Sequence, residues 1–321
     1  MTDYSNTDPG MLQFINQFYA APQVGFEAVG LDNARAMLDA FPDMVDLPAV
    51  EVGDVRDIEV TGADGPLKAR LYVPENAKPN SPALIFYHGG GWVMGGLDSH
   101  DRPCRRICAV GDIVVLAVDY RLAPEHTFPA AIDDAQAAFH WVCAHADELG
   151  VDKTRLAVGG DSAGGNIAAS IALSLRGDAH GEPALQFLLY PALQPFGDMP
   201  SHKKFGQGYA LDIADMNFFI TSYAGKNANE INDVRLWPLL ADNFNNVPPA
   251  YIITAGQDPL QDDGSKYANA LEKVGVNVKL KHYPTMTHGF CSMTTLSPDA
   301  LQALEDAARY VGAALRRLDV K

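Results

Sequence analysis

Residues 155–166 read Arg-Leu-Ala-Val-Gly-Gly-Asp-Ser-Ala-Gly-Gly-Asn. The first five residues form a largely apolar run typical of a buried strand, and a helical stretch rich in Ala and Ile follows Ser162. A Gly-x-Ser-x-Gly pattern between a strand and a helix is typical of a nucleophile elbow, in which the serine hydroxyl stands clear of the backbone. Gly160 and Gly164 suit such a turn because strand and helix nearly touch there. A phosphate-binding loop is the alternative, but neither a Lys-Ser/Thr pair nor a Gly-x-Gly-x-x-Gly pattern accompanies it.

Short apolar runs alternate with helix-like segments along most of the chain. The runs are typical of strands buried on both faces; they lie at 83–87, 113–118, 155–159, 185–190 and 251–255, and a last, alternating run at 276–280 is typical of an edge strand. Helical apolar spacing marks residues 130–148, 163–176, 264–274 and 298–316. This alternation predicts a mostly parallel sheet covered by helices on both sides.

The first part of the chain is organised differently. Residues 9–20 and 31–41 have helical apolar spacing, and two runs at 51–60 and 67–73 flank a Gly-containing loop, which predicts an antiparallel hairpin. The predicted fold class is therefore α/β, with a sheet of about eight strands whose first pair is antiparallel.

A segment without strands interrupts the alternation. Residues 196–235 contain helical pieces between the sixth and seventh strands, as an inserted lid would. We predict a helical cap made of this insertion and an N-terminal segment, 1–50, above a core formed by 51–195 and 236–321. Peripheral packing is the alternative for both helical segments.

Composition excludes several classes of protein. The chain has 321 residues, of which 47% are hydrophobic, and 24 Lys and Arg against 40 Asp and Glu give a net charge of −16. Without a basic cluster this balance argues against nucleic acid and anionic membrane as partners. The N-terminus lacks the features of a signal peptide and no run of 18 apolar residues exists, so we expect no membrane span and a cytoplasmic location.

Four cysteines, Cys104, Cys108, Cys143 and Cys291, include no C-x-x-C pair. We interpret them as buried, reduced thiols, with a zinc site as the alternative. No metal is expected.

A serine nucleophile needs a histidine base that a carboxylate orients, and in this strand–turn–helix setting the chain order is Ser, Asp or Glu, then His. His288 follows the last predicted strand and precedes the C-terminal helix, where the base belongs. His202 lies in the irregular insertion, His282 in the last strand, and His180 in a surface turn.

The acid should follow the strand at 251–255. Asp258 leaves the end of that strand first, whereas Asp262 and Asp263 suit the start of the next helix, where acids are favoured. We therefore predict Asp258 as the partner of the base.

Three consecutive glycines, Gly89, Gly90 and Gly91, follow the strand at 83–87. Backbone N–H groups can converge on the oxyanion of a tetrahedral intermediate only where no side chain intervenes, and these glycines meet that need. Ala163 would add an N–H at the start of a helix. His88 is then an anchor of the loop and not a base.

Several segments together resemble the bacterial hormone-sensitive-lipase-like carboxylesterases, a branch of the α/β-hydrolases. The segments 88–92 and 160–166 match the family's HGGGW and GDSAGGN signatures, and residues 119–126 match its DYRLAPEH segment. Asp258-Pro259-Leu260 and His288-Gly289-Phe290 match its DPL and HGF signatures. The resemblance covers about residues 70–315.

The resemblance implies an α/β-hydrolase fold with a helical cap and a serine carboxylesterase that acts on small-molecule esters with short to medium acyl chains, without a cofactor. It implies Ser162 as nucleophile, His288 as base and Asp258 as its orienter. Gly90, Gly91 and Ala163 would donate to the oxyanion, with Gly89 a further candidate, and the family is compatible with a homodimer.

Two alternatives stay open on the same scaffold: an amide, formamide or acetyl-group hydrolase with the same triad, and a non-catalytic ligand receptor. Such receptors lack a working base, whereas His288 is present here. Candidate pocket residues are Trp92, Phe205, Tyr209, Met216, Phe218 and Phe219, with ordinary packing as the alternative for each.

Overall fold

One eight-stranded sheet organises this computed structural model, which describes residues 2–20, 25–197 and 199–318. Met1 and residues 21–24, 198 and 319–321, which belong to the predicted cap and core segments, lie outside the described residues. The strands are β1 (Asp54–Gly62), β2 (Gly65–Val73), β3 (Ser81–Tyr87), β4 (Val114–Val118), β5 (Val151–Asp161), β6 (Leu185–Leu189), β7 (Ala250–Gln257) and β8 (Val278–Thr287).

The strand order is β1-β2-β4-β3-β5-β6-β7-β8. β2 runs antiparallel to both of its neighbours, β1 and β4, and every other pair is parallel. The predicted α/β class, strand number and antiparallel first pair are therefore confirmed. Parallel order brings the carboxyl ends of β5, β7 and β8 to one edge of the sheet, where ligand sites of such folds lie.

Twelve α-helices are present in the described residues: α1 (Pro9–Ala20), α2 (Phe26–Val29), α3 (Leu31–Ala40), α4 (Pro42–Val45), α5 (Asp101–Gly111), α6 (Ala130–Ala144), α7 (Ala146–Leu149), α8 (Ala163–Ser174), α9 (Pro200–Phe205), α10 (Ile213–Ala224), α11 (Gln261–Lys273) and α12 (Pro298–Arg317). The helical segments predicted from apolar spacing all contain one of them. α5 is not among the predicted helices, although its buried residues 103, 104, 107, 108 and 111 recur at helical spacing.

Two apolar layers cover the two faces of the sheet. Side chains alternate along β3, so that Ile85 and Tyr87 join one core cluster while Leu84 and Phe86 join the other. The first layer includes α6 and α8, and the second includes α5 and α12. Because both faces are covered, all seven residues of β3 are buried, which explains the uninterrupted apolar runs of the central strands.

β8 differs from the other parallel strands because it is the edge of the sheet. It is ten residues long, and its residues 279–282 are exposed. The predicted run at 276–280 covers only the first part of this strand, which continues to Thr287. The prediction falls short because an edge strand with charged side chains lacks the apolar signal of a buried strand.

The segment between β6 and β7 contains α9, α10 and two short 3₁₀ turns but no strand in its described residues. It packs against the N-terminal helices: Phe26 stacks on Phe218 with ring centroids 5.4 Å apart, and the Tyr4 hydroxyl donates to the Gly208 carbonyl. The division into cap and core stays a prediction.

None of the helices in the described part of the chain is both long enough and apolar enough to cross a membrane.

Candidate active site

The turn between β5 and α8 holds Ser162 in a strained conformation. Ser162 has φ 54° and ψ −117°, a backbone conformation that residues other than glycine rarely adopt. Its N–H donates to the Leu189 carbonyl at 2.9 Å, which ties the turn to the neighbouring strand β6. α8 begins at the next residue, Ala163. This is the strand–turn–helix arrangement that the sequence predicts.

Small residues at 160 and 164 make the turn possible. A Cβ atom on either Gly160 or Gly164 would overlap the carbonyl oxygen of Tyr87 at the end of β3. Strand and helix therefore approach each other as closely as the Gly-x-Ser-x-Gly pattern predicts.

Three side chains that are distant in sequence form one hydrogen-bonded chain. Ser162 Oγ lies 2.9 Å from His288 Nε2, and His288 Nδ1 lies 2.8 Å from Asp258 Oδ2. The carboxylate can only accept, so Nδ1 carries the proton and Nε2 is free to accept the serine hydroxyl. The structure brings together the three residues that the sequence singles out.

The surroundings fix the orientation of this chain. Asp258 follows β7, is fully buried, and its Oδ1 accepts the N–H of Leu260 at 2.8 Å. His288 follows β8, and the ring of Tyr190 packs edge-on against it with centroids 4.9 Å apart. Both oxygens of the carboxylate thus have a donor, and one face of the imidazole is covered.

The other three histidines that were candidates for the base lie elsewhere. His202 is buried in α9, where its Nδ1 accepts the N–H of Gly197. His282 lies on the edge strand β8 and contacts the Thr254 hydroxyl, and His180 packs against the ring of His140.

The two neighbouring acids have other partners. Asp262 accepts the N–H of Ser201 at 2.9 Å. Asp263 is buried in the first turn of α11, where it accepts the N–H of Leu193. Burial raises the pKa of Asp263 to about 7 despite its hydrogen bonds to the N–H of Leu193 and to Gln194.

Residues 88–92, here named the glycine loop, lead away from the end of β3. Gly90 and Gly91 have φ of 114° and 63°, and a Cβ on either would overlap its surroundings, so only glycine suits both positions. Among the residues that the structure describes, the N–H groups of Gly90, Gly91 and Ala163 find no protein acceptor. Three donors are therefore free to bind an anion.

Gly89 differs from the next two glycines, and this corrects its place among the predicted oxyanion donors. Its N–H donates to Asp161 Oδ1 at 2.9 Å and is not available to a substrate. A Cβ at this position would overlap the carboxylate of Asp161, which explains the glycine.

His88 is an internal anchor of the loop, as the sequence suggests. It is buried, its ring stacks on Tyr120 with centroids 4.3 Å apart, and its Nδ1 donates to the Gly89 carbonyl at 2.8 Å. Burial, with a smaller contribution from nearby His100, lowers the pKa of His88 to about 3. The ring is therefore neutral at ordinary pH.

Two aromatic side chains of α10 lie near the glycine loop. A Cβ at Gly91 would overlap the ring of Phe219, so this ring lies directly against the loop. Phe26 packs on both Phe218 and Phe219, with centroids 5.4 and 5.1 Å away. This aromatic cluster is close enough to line a substrate pocket, although Phe26 was not among the predicted residues.

Two other predicted pocket residues, Trp92 and Tyr209, pack against aromatic rings. Trp92 is 1% exposed and stacks on Tyr223 at 4.9 Å. Tyr209 is buried against Tyr4 and Phe205, and its hydroxyl donates to the Asp3 carbonyl. Because protein covers both rings, each has the ordinary packing role that is the alternative to a place in the pocket wall.

Within the described ranges, no three His, Cys, Asp or Glu side chains are arranged to hold a metal ion. The four cysteines are buried and unpaired. Burial raises the pKa of Cys143 to about 11 and that of Cys108 to about 12, so these two thiols are protonated at neutral pH.

Known proteins resemble this chain in both sequence and fold. A family model described as alpha/beta hydrolase fold matches residues 84–292. The carboxylic ester hydrolase LipN of Mycobacterium tuberculosis is 42% identical over 289 residues, which cover 88% of this chain and 75% of that protein. The ethyl acetate hydrolase of Pseudomonas putida is 38% identical over 281 residues, which cover 86% of this chain and 88% of that protein.

Solved structures agree with these relatives. An ester hydrolase from the metagenome of Lake Arreo, complexed with a derivative of bipyridine phosphonate, has a TM-score of 0.91 at 37% identity and covers 96% of this chain and 98% of its own. The hyperthermophilic esterase of the archaeon Pyrobaculum calidifontis has a TM-score of 0.89 at 34% identity, with the same coverage of 96% and 98%. The chain belongs to the α/β-hydrolase family, in its hormone-sensitive-lipase-like branch. It is a carboxylic ester hydrolase, and the predicted family and enzyme class are confirmed.

Proposed function

We propose that this enzyme cleaves small esters with short to medium acyl chains through a Ser162–His288–Asp258 triad and an acyl-enzyme intermediate. The observation that carries the proposal is the continuous hydrogen-bonded chain, with 2.9 Å from Ser162 Oγ to His288 Nε2 and 2.8 Å from His288 Nδ1 to Asp258 Oδ2. These distances lie within the range over which a base can take the proton of a nucleophile.

In the first half of the reaction, Ser162 Oγ forms a bond to the ester carbonyl carbon and its proton passes to His288 Nε2. Asp258 holds the imidazole in the correct tautomer and stabilises the imidazolium. When the tetrahedral intermediate collapses, the bond to the alcohol oxygen breaks and the leaving alcohol takes the proton from Nε2. Water, deprotonated by the same nitrogen, then attacks the acyl carbon. The bond from that carbon to Ser162 Oγ breaks, Oγ takes back the proton from Nε2, and the acid leaves.

The negative charge of the tetrahedral intermediate needs donors that are already in place. The N–H groups of Gly90, Gly91 and Ala163 supply them in this proposal, since they find no acceptor in the described part of the protein. A single donor of this kind stabilises the transition state by about 3–4 kcal/mol. The start of α8 adds the favourable end of a helix dipole.

The aromatic cluster of Phe26, Phe218 and Phe219 supports a preference for acyl groups of limited length. Phe219 lies against Gly91, so an acyl chain bound near the glycine loop meets a wall of bulky rings. The resemblance to an ethyl acetate hydrolase points to the same class of small esters. The alternative of amide or acetyl-group hydrolysis uses the same triad, and rates on matched ester and amide substrates separate the two.

The decisive variant is Ser162→Ala. Loss of the nucleophile is expected to lower kcat for p-nitrophenyl butyrate by at least about 10⁴-fold. Ser170→Ala is the matched control, because Ser170 is a buried serine of α8, the helix that follows Ser162, and its loss should leave kcat within about twofold of the parent value. Near-parental turnover by Ser162→Ala would contradict the proposal.

A cytoplasmic location and a homodimer complete the proposal. The four buried, unpaired cysteines support a reducing compartment, and localisation of a tagged chain tests this. Sedimentation equilibrium tests the dimer: a single species of 34.6 kDa at all concentrations would contradict it.

A further inference from the structure

A carboxylate next to the nucleophile in sequence contacts the glycine loop. Asp161 ends β5, one residue before Ser162, and its side chain is buried. Its Oδ1 accepts the N–H of Gly89 at 2.9 Å, and its second oxygen lies where a Cβ of Gly89 would be. The two segments that build the active site are thus joined directly by one side chain.

His100 contacts the same oxygen of this carboxylate, and its Nε2 also lies 3.3 Å from the Gly89 nitrogen. His100 Nε2 lies 3.2 Å from Asp161 Oδ1, and because an ionised carboxylate can only accept, this nitrogen carries a proton in that contact. His100 Nδ1 lies 2.9 Å from Ser99 Oγ, which in turn accepts the N–H of Gly96. The imidazole is therefore oriented by a second polar contact on the far side of its ring.

The polar contacts of Asp161 keep its pKa low despite its burial. Burial alone would raise the pKa of Asp161, but the charge and hydrogen bond of His100, together with the Gly89 N–H, outweigh burial and hold the pKa below its usual value. A buried charge is retained only where its partners are well placed, so the positions of Gly89 and His100 are fixed by Asp161 as much as the reverse.

We propose that Asp161 is a positioning residue that sets the distance between the glycine loop and the nucleophile. This inference rests on the proposed function. Asp161 fixes the peptide of Gly89, and the next two peptides of the loop carry the free N–H groups of Gly90 and Gly91. His100 acts through Asp161 by holding its carboxylate in place.

This role determines which kinetic constant changes. The free N–H groups meet a full negative charge only in the transition state, so a displaced loop weakens transition-state binding and leaves substrate binding nearly unchanged. Loss of Asp161 should therefore lower kcat with little effect on KM. A merely structural role would lower the folded fraction and change neither constant per folded molecule.

The test compares Asp161→Ala and Asp161→Asn with Asp134→Asn as a matched control. Asp134 is a fully buried carboxylate that also accepts a backbone N–H, from Ala63, but it pairs with Arg121 and does not contact the active-site residues. The readouts are kcat and KM for p-nitrophenyl butyrate, the rate constant of inactivation by a p-nitrophenyl alkylphosphonate, and the midpoint of thermal unfolding.

We expect Asp161→Ala to lower kcat and the phosphonylation rate by a similar factor, about 10- to 100-fold, with KM within about threefold. Asp161→Asn should retain more activity, since its Oδ1 still accepts the Gly89 N–H. Asp134→Asn should lower the unfolding midpoint with kcat unchanged.

Parental kcat and phosphonylation in folded Asp161→Ala would overturn the inference, as would a loss confined to KM or an equal loss of kcat in Asp134→Asn. Should Asp161→Ala fail to fold, Asp161→Asn and His100→Ala decide by the same criteria. An active Ser162→Ala would contradict the proposed function itself, whereas an inactive Ser162→Ala beside unaffected Asp161 variants would contradict this inference alone.

Discussion

The hydroxyl of Tyr19 donates a hydrogen bond of 2.8 Å to the carboxylate of Asp212 and so joins the last turn of α1 to the residue that caps α10. The same carboxylate accepts the N–H of Gly208 at 2.8 Å, and the tyrosine oxygen accepts the N–H of Ala210. Four polar groups that are up to 193 residues apart in the chain thus share one small network, which couples the N-terminal helices to the insertion.

Tyr19→Phe removes the hydroxyl that joins Asp212 to the Ala210 N–H in this network. Because the Asp212 carboxylate loses one of its donors and the Ala210 N–H loses its acceptor, we expect the free energy of unfolding to fall by about 1–2 kcal/mol. Urea titration followed by circular dichroism measures it. Tyr310→Phe is the control, since the Tyr310 hydroxyl makes no hydrogen bond within the described part of the chain and only its ring packs, on Tyr251. Equal losses in the two variants would show that the network contributes nothing.

Asp258→Asn tests the orienting carboxylate. An amide in this position favours the wrong tautomer of His288, so kcat for p-nitrophenyl butyrate should fall by about 10³- to 10⁴-fold. Asp262→Asn changes an acid four residues away that contacts Ser201 and should keep kcat within about twofold. Steady-state kinetics on both variants provide the comparison, and similar kcat values would exclude Asp258 as the orienter.

The buried imidazole of His88 makes stability depend on pH. In the unfolded chain this group binds a proton near pH 6.5, whereas in the fold its pKa is about 3. Its contribution to stability is therefore complete above about pH 6.5 and is lost as the pH falls toward 3, with a slope of at most about 1.4 kcal/mol per pH unit. His88→Phe should flatten the pH dependence of the free energy of unfolding between pH 4 and 6. Urea titrations across this range measure the slope, and parallel curves for parent and variant would contradict the assignment.

Phe219→Ala should widen the range of acyl chains that the enzyme accepts. Removal of the ring beside Gly91 opens space, so the ratio of kcat/KM for p-nitrophenyl decanoate over p-nitrophenyl butyrate should rise by about tenfold, the effect of roughly two buried methylene groups. Phe244→Ala removes a ring that packs on Tyr267, away from α10, and should lower stability without altering the ratio. An unchanged ratio in Phe219→Ala would show that this ring does not limit chain length.

Much of the site was predictable from sequence because its chemistry depends on local patterns and on chain order. Ser162 lies in a turn that needs glycines two residues before and after it, and Asp258 and His288 follow successive strand ends. Parallel strands bring such ends to one edge of the sheet whatever the details of packing.

The corrections concern contacts that no local pattern encodes. Gly89 resembles its two neighbours in sequence, but its N–H is taken by Asp161, 72 residues away. Trp92 and Tyr209 are candidates for a pocket wall with ordinary packing as the alternative, and the direction in which each ring faces depends on partners such as Tyr223 and Tyr4. Those partners are known only once the helices are packed.

The conformation of Ser162 implies a conflict between folding and catalysis. For a residue with a side chain, the backbone conformation φ 54° and ψ −117° costs on the order of 1–3 kcal/mol of folding free energy. Glycine adopts this conformation without that cost. The Ser162→Gly variant should therefore melt at a higher temperature than the parent protein. The hydroxyl at this position is thus held at a cost in thermal stability.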